Sequence, residues 1–168
     1  MTLKEYFLAQ LDREAESTRK AVARVPEGKN TFKPHDKSME FGYLAALVAG
    51  MLGWIALIIE RDELDLAKAE AEGFQTHALA TKDELLASLE DAVAKARRAL
   101  EGTNDDHLQT PWAFKIGGQA VSQNPRWIMI ADAVFSHLAH HRGQLTVYLR
   151  LVDSKVPALF GPSADERF

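Results

Sequence analysis

Three of the six histidines, His137, His140 and His141, fall in the stretch FSHLAHHRGQLTVYLRL. Imidazole is both a common metal ligand and a proton carrier near neutral pH. On a helix each residue advances about 100°. With His137 at zero, Ile130 and Tyr148 fall near 20°, Val134 and Val152 near 60°, and Leu145 near 80° (each about that value). His141 falls at about 40°, inside this apolar stripe, and His140 at about 300°, outside it. The spacing predicts that His137 and His141 face the interior and His140 faces away. Two imidazoles at i and i+4 are neighbours on one helix face, the arrangement by which one helix offers two nitrogens to a metal. It equally suits a pair of core histidines hydrogen-bonded to carboxylates or backbone. Leu138 follows His137, so the glutamate of an HExxH metalloprotease is missing.

Positioning such a pair takes helices, and four long segments read as helical. The first opens with Thr2 and Glu5, a capping-box spacing, carries Leu3, Phe7, Leu11, Thr18 and Val22 at helical intervals, and ends at Pro26 and Gly28. The second has Ser38 as its expected N-cap and Glu40 in its first turn. It includes FGYLAALVAGMLGWIALII, Phe41 to Ile59, without a charge. A run of that length can just cross a bilayer. The three other amphipathic segments need a partner for their apolar stripes, so it is read instead as the central helix of a soluble bundle. The third opens with Thr81 and Glu84, shows Leu85, Leu89, Val93, Ala96 and Leu100, and stops at Gly102. The fourth is expected to start with Asn124 as N-cap and Pro125 as first residue and to run to about Val152.

Between these, LDLAKAEAEG reads as a short helix closed by Gly73, and TNDDHLQTPWAFKIGGQAVSQ as an irregular or hairpin-like excursion. VPALFGPSADERF reads as an extended arm. The fold class expected is all-α, a four-helix bundle in one domain over residues 1–168.

Composition narrows the chemistry further. A chain of 168 residues, 46% hydrophobic and 26% charged, is long enough to bury a core and too apolar for disorder. Zero Cys excludes a disulfide scaffold, an iron–sulfur cluster and a Cys nucleophile. A net charge of −4 argues against a nucleic-acid-binding module. The acidic start, MTLKEYFLAQLDREAE, lacks the pattern of a secretory signal, so a cytoplasmic location with no membrane partner is expected. Arg142 is expected in an ion pair that orients the last helix. Gly143 is expected at a close helix–helix contact. Asp105 and Asp106 read as a solvated turn. Among the tryptophans Trp54, Trp112 and Trp127, Trp112 is the candidate to line a pocket mouth.

The string His137-x-x-x-His141-Arg142-Gly143-Gln144-Leu145, followed by Tyr148-Leu149-Arg150, resembles the last-helix signature of the DinB/YfiT-like metalloenzyme superfamily. VPEGKNTFKPHDKS, Pro125-Arg126 and FGPSADE are similar to the corresponding family segments, so the likeness spans nearly the whole chain. The resemblance implies an up-down-down-up bundle with a long crossover between the second and third helices. It implies a divalent metal, zinc or nickel, held by three histidines, two of which match His137 and His141. The third belongs to a pattern like LAAHxA, and here that position is Leu47, which cannot ligate. Tyr43, Glu40 and Met51 share a helical stripe with position 47, and His35, His77 and His107 lie in loops.

Members of the family include metal-dependent thiol transferases, a thiol-using isomerase and hydrolase-like proteins. The resemblance therefore implies a metal that activates a thiol or water, with a low-molecular-weight thiol or an electrophile as substrate. Leu47 makes the expected site degenerate. The rival reading is a ligand-binding or stress-response protein that keeps the helices and has lost the metal. A third is a non-catalytic partner subunit, since the resemblance also implies a homodimer.

Overall fold

A computed structural model describes residues 1–167; Phe168, the last residue of the expected C-terminal arm, lies outside them. Helix α1 spans Leu3–Val22 and opens on the expected capping box, with Thr2 and Glu5 exchanging hydrogen bonds. Asp105 does more there than solvate a turn. Its carboxylate accepts the N–H groups of Leu3 at 2.9 Å and Lys4 at 3.1 Å. These are donors that the helix itself leaves without partners.

The uncharged run forms α2 (Phe41–Gly50), a 3-10 turn (Met51–Gly53) and α3 (Trp54–Glu60). It is the central helix, with 72% of its most apolar window buried inside the protein. Its start differs from expectation. Ser38 is not the cap; the helix begins after Glu40. The carbonyls of Phe32 and Asn30 accept from Phe41 and Gly42 instead, each at 2.9 Å. Loop backbone thus does the work expected of a side chain, and the approach is close. A Cβ on Gly42 would stand 2.8 Å from the Asn30 side chain.

Strand β1 (Glu63–Asp65) and helix α4 (Leu66–Ala71) fill the crossover. Helix α5 (Lys82–Gly102) again starts with both halves of a capping box and buries Leu85, Leu89, Ala92, Ala96 and Leu100 against the other helices. A short α6 (Asp105–Gln109) leads to β2 (Pro111–Ile116) and β3 (Gln119–Pro125).

This sheet overturns the all-α expectation. The protein is mixed α/β, helices plus one three-stranded sheet in the order β1-β2-β3, with β1 parallel to β2 and β2 antiparallel to β3. The physical reason lies in Gly117-Gly118. Both glycines have positive φ, 57° and 83°. Such a pair makes the two-residue turn whose twist matches a hairpin. Asn124 and Pro125 belong to β3, so the last helix starts one residue later than expected, as α7 (Arg126–Met129). The chain continues through a π-helical turn (Ile130–Ser136) into α8 (His137–Leu151).

Two buried guanidinium groups fix these layers. Arg126 donates to Ile58 O, Pro111 O, Arg61 O, Thr110 Oγ1 and Asp62 Oδ1, tying the start of α7 to the end of α3 and to β2. Arg142 makes the expected ion pair, with Glu14 of α1 at 2.6 Å. Gly143 departs from expectation: it is exposed, and a Cβ there would meet nothing within 4 Å.

Candidate functional site

A cavity of about 960 Å³ lies between the central helix, the last helix and the sheet. One sheet face makes a wall of it, and the register shows why. Leu64, Phe114 and Ser122 are successive partners across the three strands, and Trp112 pairs with Asn124 one row away. Residues directly opposite each other share a face, and all five line the cavity. Past this face the register slips between Phe114 and Lys115, leaving Val121 as an extra, exposed residue beside the turn. The strands that break the all-α expectation are therefore part of the site. The orphaned donor of this wall is Trp112 Nε1, buried with no hydrogen-bond partner among the described residues.

The helical side of the cavity carries His137 and His141. Their Nε2 atoms are 2.8 Å apart and their ring centroids 4.5 Å apart. His141 is buried, His137 half-buried and His140 exposed. Gln144 presents its Oε1 to His141 Nδ1 at 2.7 Å. A carbonyl facing Nδ1 puts the proton on that nitrogen. His141 Nε2 is then an acceptor, and His137 Nε2–H donates to it. Burial, helped by neighbouring His137 and His140, outweighs the Gln144 hydrogen bond and holds the His141 imidazole below its ordinary pKa. Trp54 stands beside the pair, its ring centroid 5.9 Å from that of His137.

The donor set can be tested against the metal that the sequence resemblance implies. Zinc–nitrogen bonds of about 2.0–2.1 Å in a tetrahedral site place ligand nitrogens about 3.3 Å apart. The histidine nitrogens sit closer, at the distance of a direct hydrogen bond. Leu47 lines the same cavity. The other candidates are elsewhere or chemically unsuited. Glu40 is exposed and pairs with Lys33 at 3.5 Å, and Met51 is in the core. Tyr43 does reach the cavity but is an unusual ligand. His35 accepts from the Lys37 N–H, His77 is exposed, and His107 Nε2 lies 2.9 Å from Ile59 O. Among the described residues no group of three His, Cys, Asp or Glu is placed to hold a metal ion. The residues present do not fit a three-ligand catalytic centre.

Sequence reasoning missed the two carboxylates of the cavity, Asp132 and Glu70. On an uninterrupted α-helix Asp132 would sit about 140° from His137. The π-helical turn Ile130–Ser136, which holds about one residue more per turn, brings Asp132 round to the cavity instead. Nothing in the residue pattern announces that turn. Glu70 arrives on α4, whose position depends on β1 pairing with β2.

Three comparisons with known proteins bear on this arrangement. The model of the family described as "DinB family" matches residues 1–166. Two solved structures have similar folds. A DinB-like protein from Bacillus cereus ATCC 10987 is 19% identical with a TM-score of 0.71, over 93% of this chain and 97% of that one. A DinB-like protein from Bacillus subtilis is 16% identical with a TM-score of 0.66, over 89% of this chain and 94% of that one. No curated protein matches the chain.

Proposed function

The chain belongs to the DinB family, and on that premise we propose that it binds an apolar small molecule in the cavity, with the His137–His141 pair as the polar group that orients it and with no resident metal. The observation that carries this reading is Leu47. It stands in the wall of the cavity that holds His137 and His141, where the resemblance puts the third imidazole of a metal centre. Catalytic zinc sites use three protein ligands with one open position, and among the described residues neither Asp132, Glu70 nor any other His, Cys, Asp or Glu is grouped with the pair as a third. The cavity is within the size range of small-molecule sites and has their composition: apolar walls with a few polar groups.

Two measurements on untagged protein test the proposal. Elemental analysis after incubation with excess zinc and nickel should give well under one metal per chain. Calorimetry with naphthylethanol, a neutral aromatic probe, should give saturable binding at one site, weakened by Trp54→Ala. Near-stoichiometric metal that disappears in both His137→Ala and His141→Ala would overturn the metal-free reading. Absence of saturable probe binding would overturn the binding reading.

A further inference from the structure

Two carboxylates open into the cavity, Asp132 from the last helix and Glu70 from α4. Among the described residues neither has an ion-pair or hydrogen-bond partner for its side chain, and no Lys or Arg lines the cavity. The chain is not short of cations, since Lys and Arg number 20. Several other exposed acids do hold one: Glu16, Glu63, Asp91 and Asp165 each pair with a Lys or Arg. The same cavity is lined by four aromatic side chains, Tyr43, Trp54, Trp112 and Phe114. Aromatic faces attract cations through their quadrupole, most strongly where water is displaced. The hydrogen bond within the histidine pair needs one lone pair, so the two imidazoles are never both cationic while it is made.

We propose that the ligand of this cavity is a lipophilic amine, an aromatic or aliphatic body carrying an ammonium group. The apolar body lies against the sheet wall and Trp54, and the ammonium group sits between the aromatic faces and the Asp132 and Glu70 carboxylates. The inference rests on the cavity being a small-molecule site and adds the charge of what it takes. An anionic ligand is disfavoured by the same arrangement: it would meet two carboxylates and no compensating Lys or Arg.

A matched series tests the charge separately from the site. Naphthylethylamine, naphthylethanol and naphthylpropionate share one aromatic body and carry positive, zero and negative charge near pH 7. Calorimetry on the full chain should rank them amine, alcohol, acid, with the amine about tenfold tighter than the alcohol. Asp132→Asn with Glu70→Gln should remove most of that preference, so that in the variant the amine and the alcohol bind within about twofold of each other. Both side chains are exposed, so the double variant should keep the parent's melting temperature. Rising salt should weaken the amine more than the alcohol. Alcohol or acid binding as tight as the amine would overturn the amine assignment and leave the cavity reading standing. A preference that survives in the double variant would equally overturn it. Failure of all three probes to bind would overturn the cavity reading and this inference with it.

Discussion

Asp65 accepts the N–H of Gly118 at 2.7 Å, and that of Gly117 at 3.0 Å. One buried carboxylate in the crossover thus holds the turn of a hairpin that lies 53 residues further along the chain. The same hairpin supplies Trp112, Phe114, Ser122 and Asn124 to the cavity.

Asp65→Ala should therefore loosen the cavity wall before it disturbs the helices. Amide exchange at Gly117 and Gly118 should speed up and naphthylethanol binding should weaken, while the helical circular dichroism stays that of the parent. Burial works to raise the Asp65 pKa, but N–H groups of Gly118, Gly117, Lys68 and Ala67 outweigh it and hold the carboxyl below its usual value. A depressed carboxyl stabilises the fold above the unfolded-state pKa of about 3.9, and that stabilisation is lost as pH falls through the lower folded value. The parent should lose this anchor only in strong acid. Unchanged exchange at both glycines in the variant would refute the anchor.

Glu14 and Arg142 form a pair shut away from water, with Arg142 only 1% exposed. Thr18 Oγ1 accepts a further bond from the guanidinium at 3.1 Å, and the Phe160 ring lies 5.4 Å from its central carbon. Glu14→Ala would leave a buried guanidinium without its counter-ion, a change that costs about 3–5 kcal/mol. Removing both charges in Glu14→Ala, Arg142→Met should cost much less, because no charge is then stranded. Urea unfolding of the two variants and the parent measures both. A single variant no less stable than the double one would show that the charge pair is not what holds α1 to α8.

How far the sequence reached follows the range of the interactions involved. Both capping boxes, the burial of Leu89 and Leu145 and the side-by-side placement of His137 and His141 are local matters of spacing, and spacing is visible in one chain. The Gly-Gly turn was visible too. Its consequence was not, because β1 joins the sheet in parallel from about fifty residues away, and no local pattern announces a three-residue strand. Asp132 was hidden for a related reason. Helical-wheel arithmetic assumes a uniform helix, and the π-helical turn before His137 breaks that assumption. Gly143 remains a residue whose presence in α8 nothing in the chain explains.

Leu47→His should convert the cavity into a better metal site. It adds an imidazole to the wall that already carries His137 and His141, and three histidines with an open position are a sufficient zinc set. Zinc bound per chain, measured by elemental analysis after gel filtration, should rise from a small fraction toward one. His137→Ala in the same background should abolish the gain. Binding should also weaken as pH falls, since protonated imidazole cannot ligate. If Leu47→His binds no more zinc than the parent, position 47 is not aligned with the pair, and the argument from Leu47 loses its footing.

The histidine pair should also leave a mark on stability. Burial, with His137 and His140 close by, holds His141 below its ordinary pKa despite its hydrogen bond to Gln144. The unfolded chain then takes up a proton that the folded chain refuses. Stability contributed by the neutral imidazole is fully present above the unfolded-state pKa of about 6.5 and is lost as pH falls from there toward the depressed folded value. The melting temperature should accordingly drop as pH is lowered through this window, and His141→Gln should flatten that part of the curve. Direct titration of the imidazole by NMR should place His141 below the ordinary value of about 6.5. A His141 that titrates at or above the ordinary value would mean that burial does not disfavour its charged form, and the loss of stability at lower pH would then have another source.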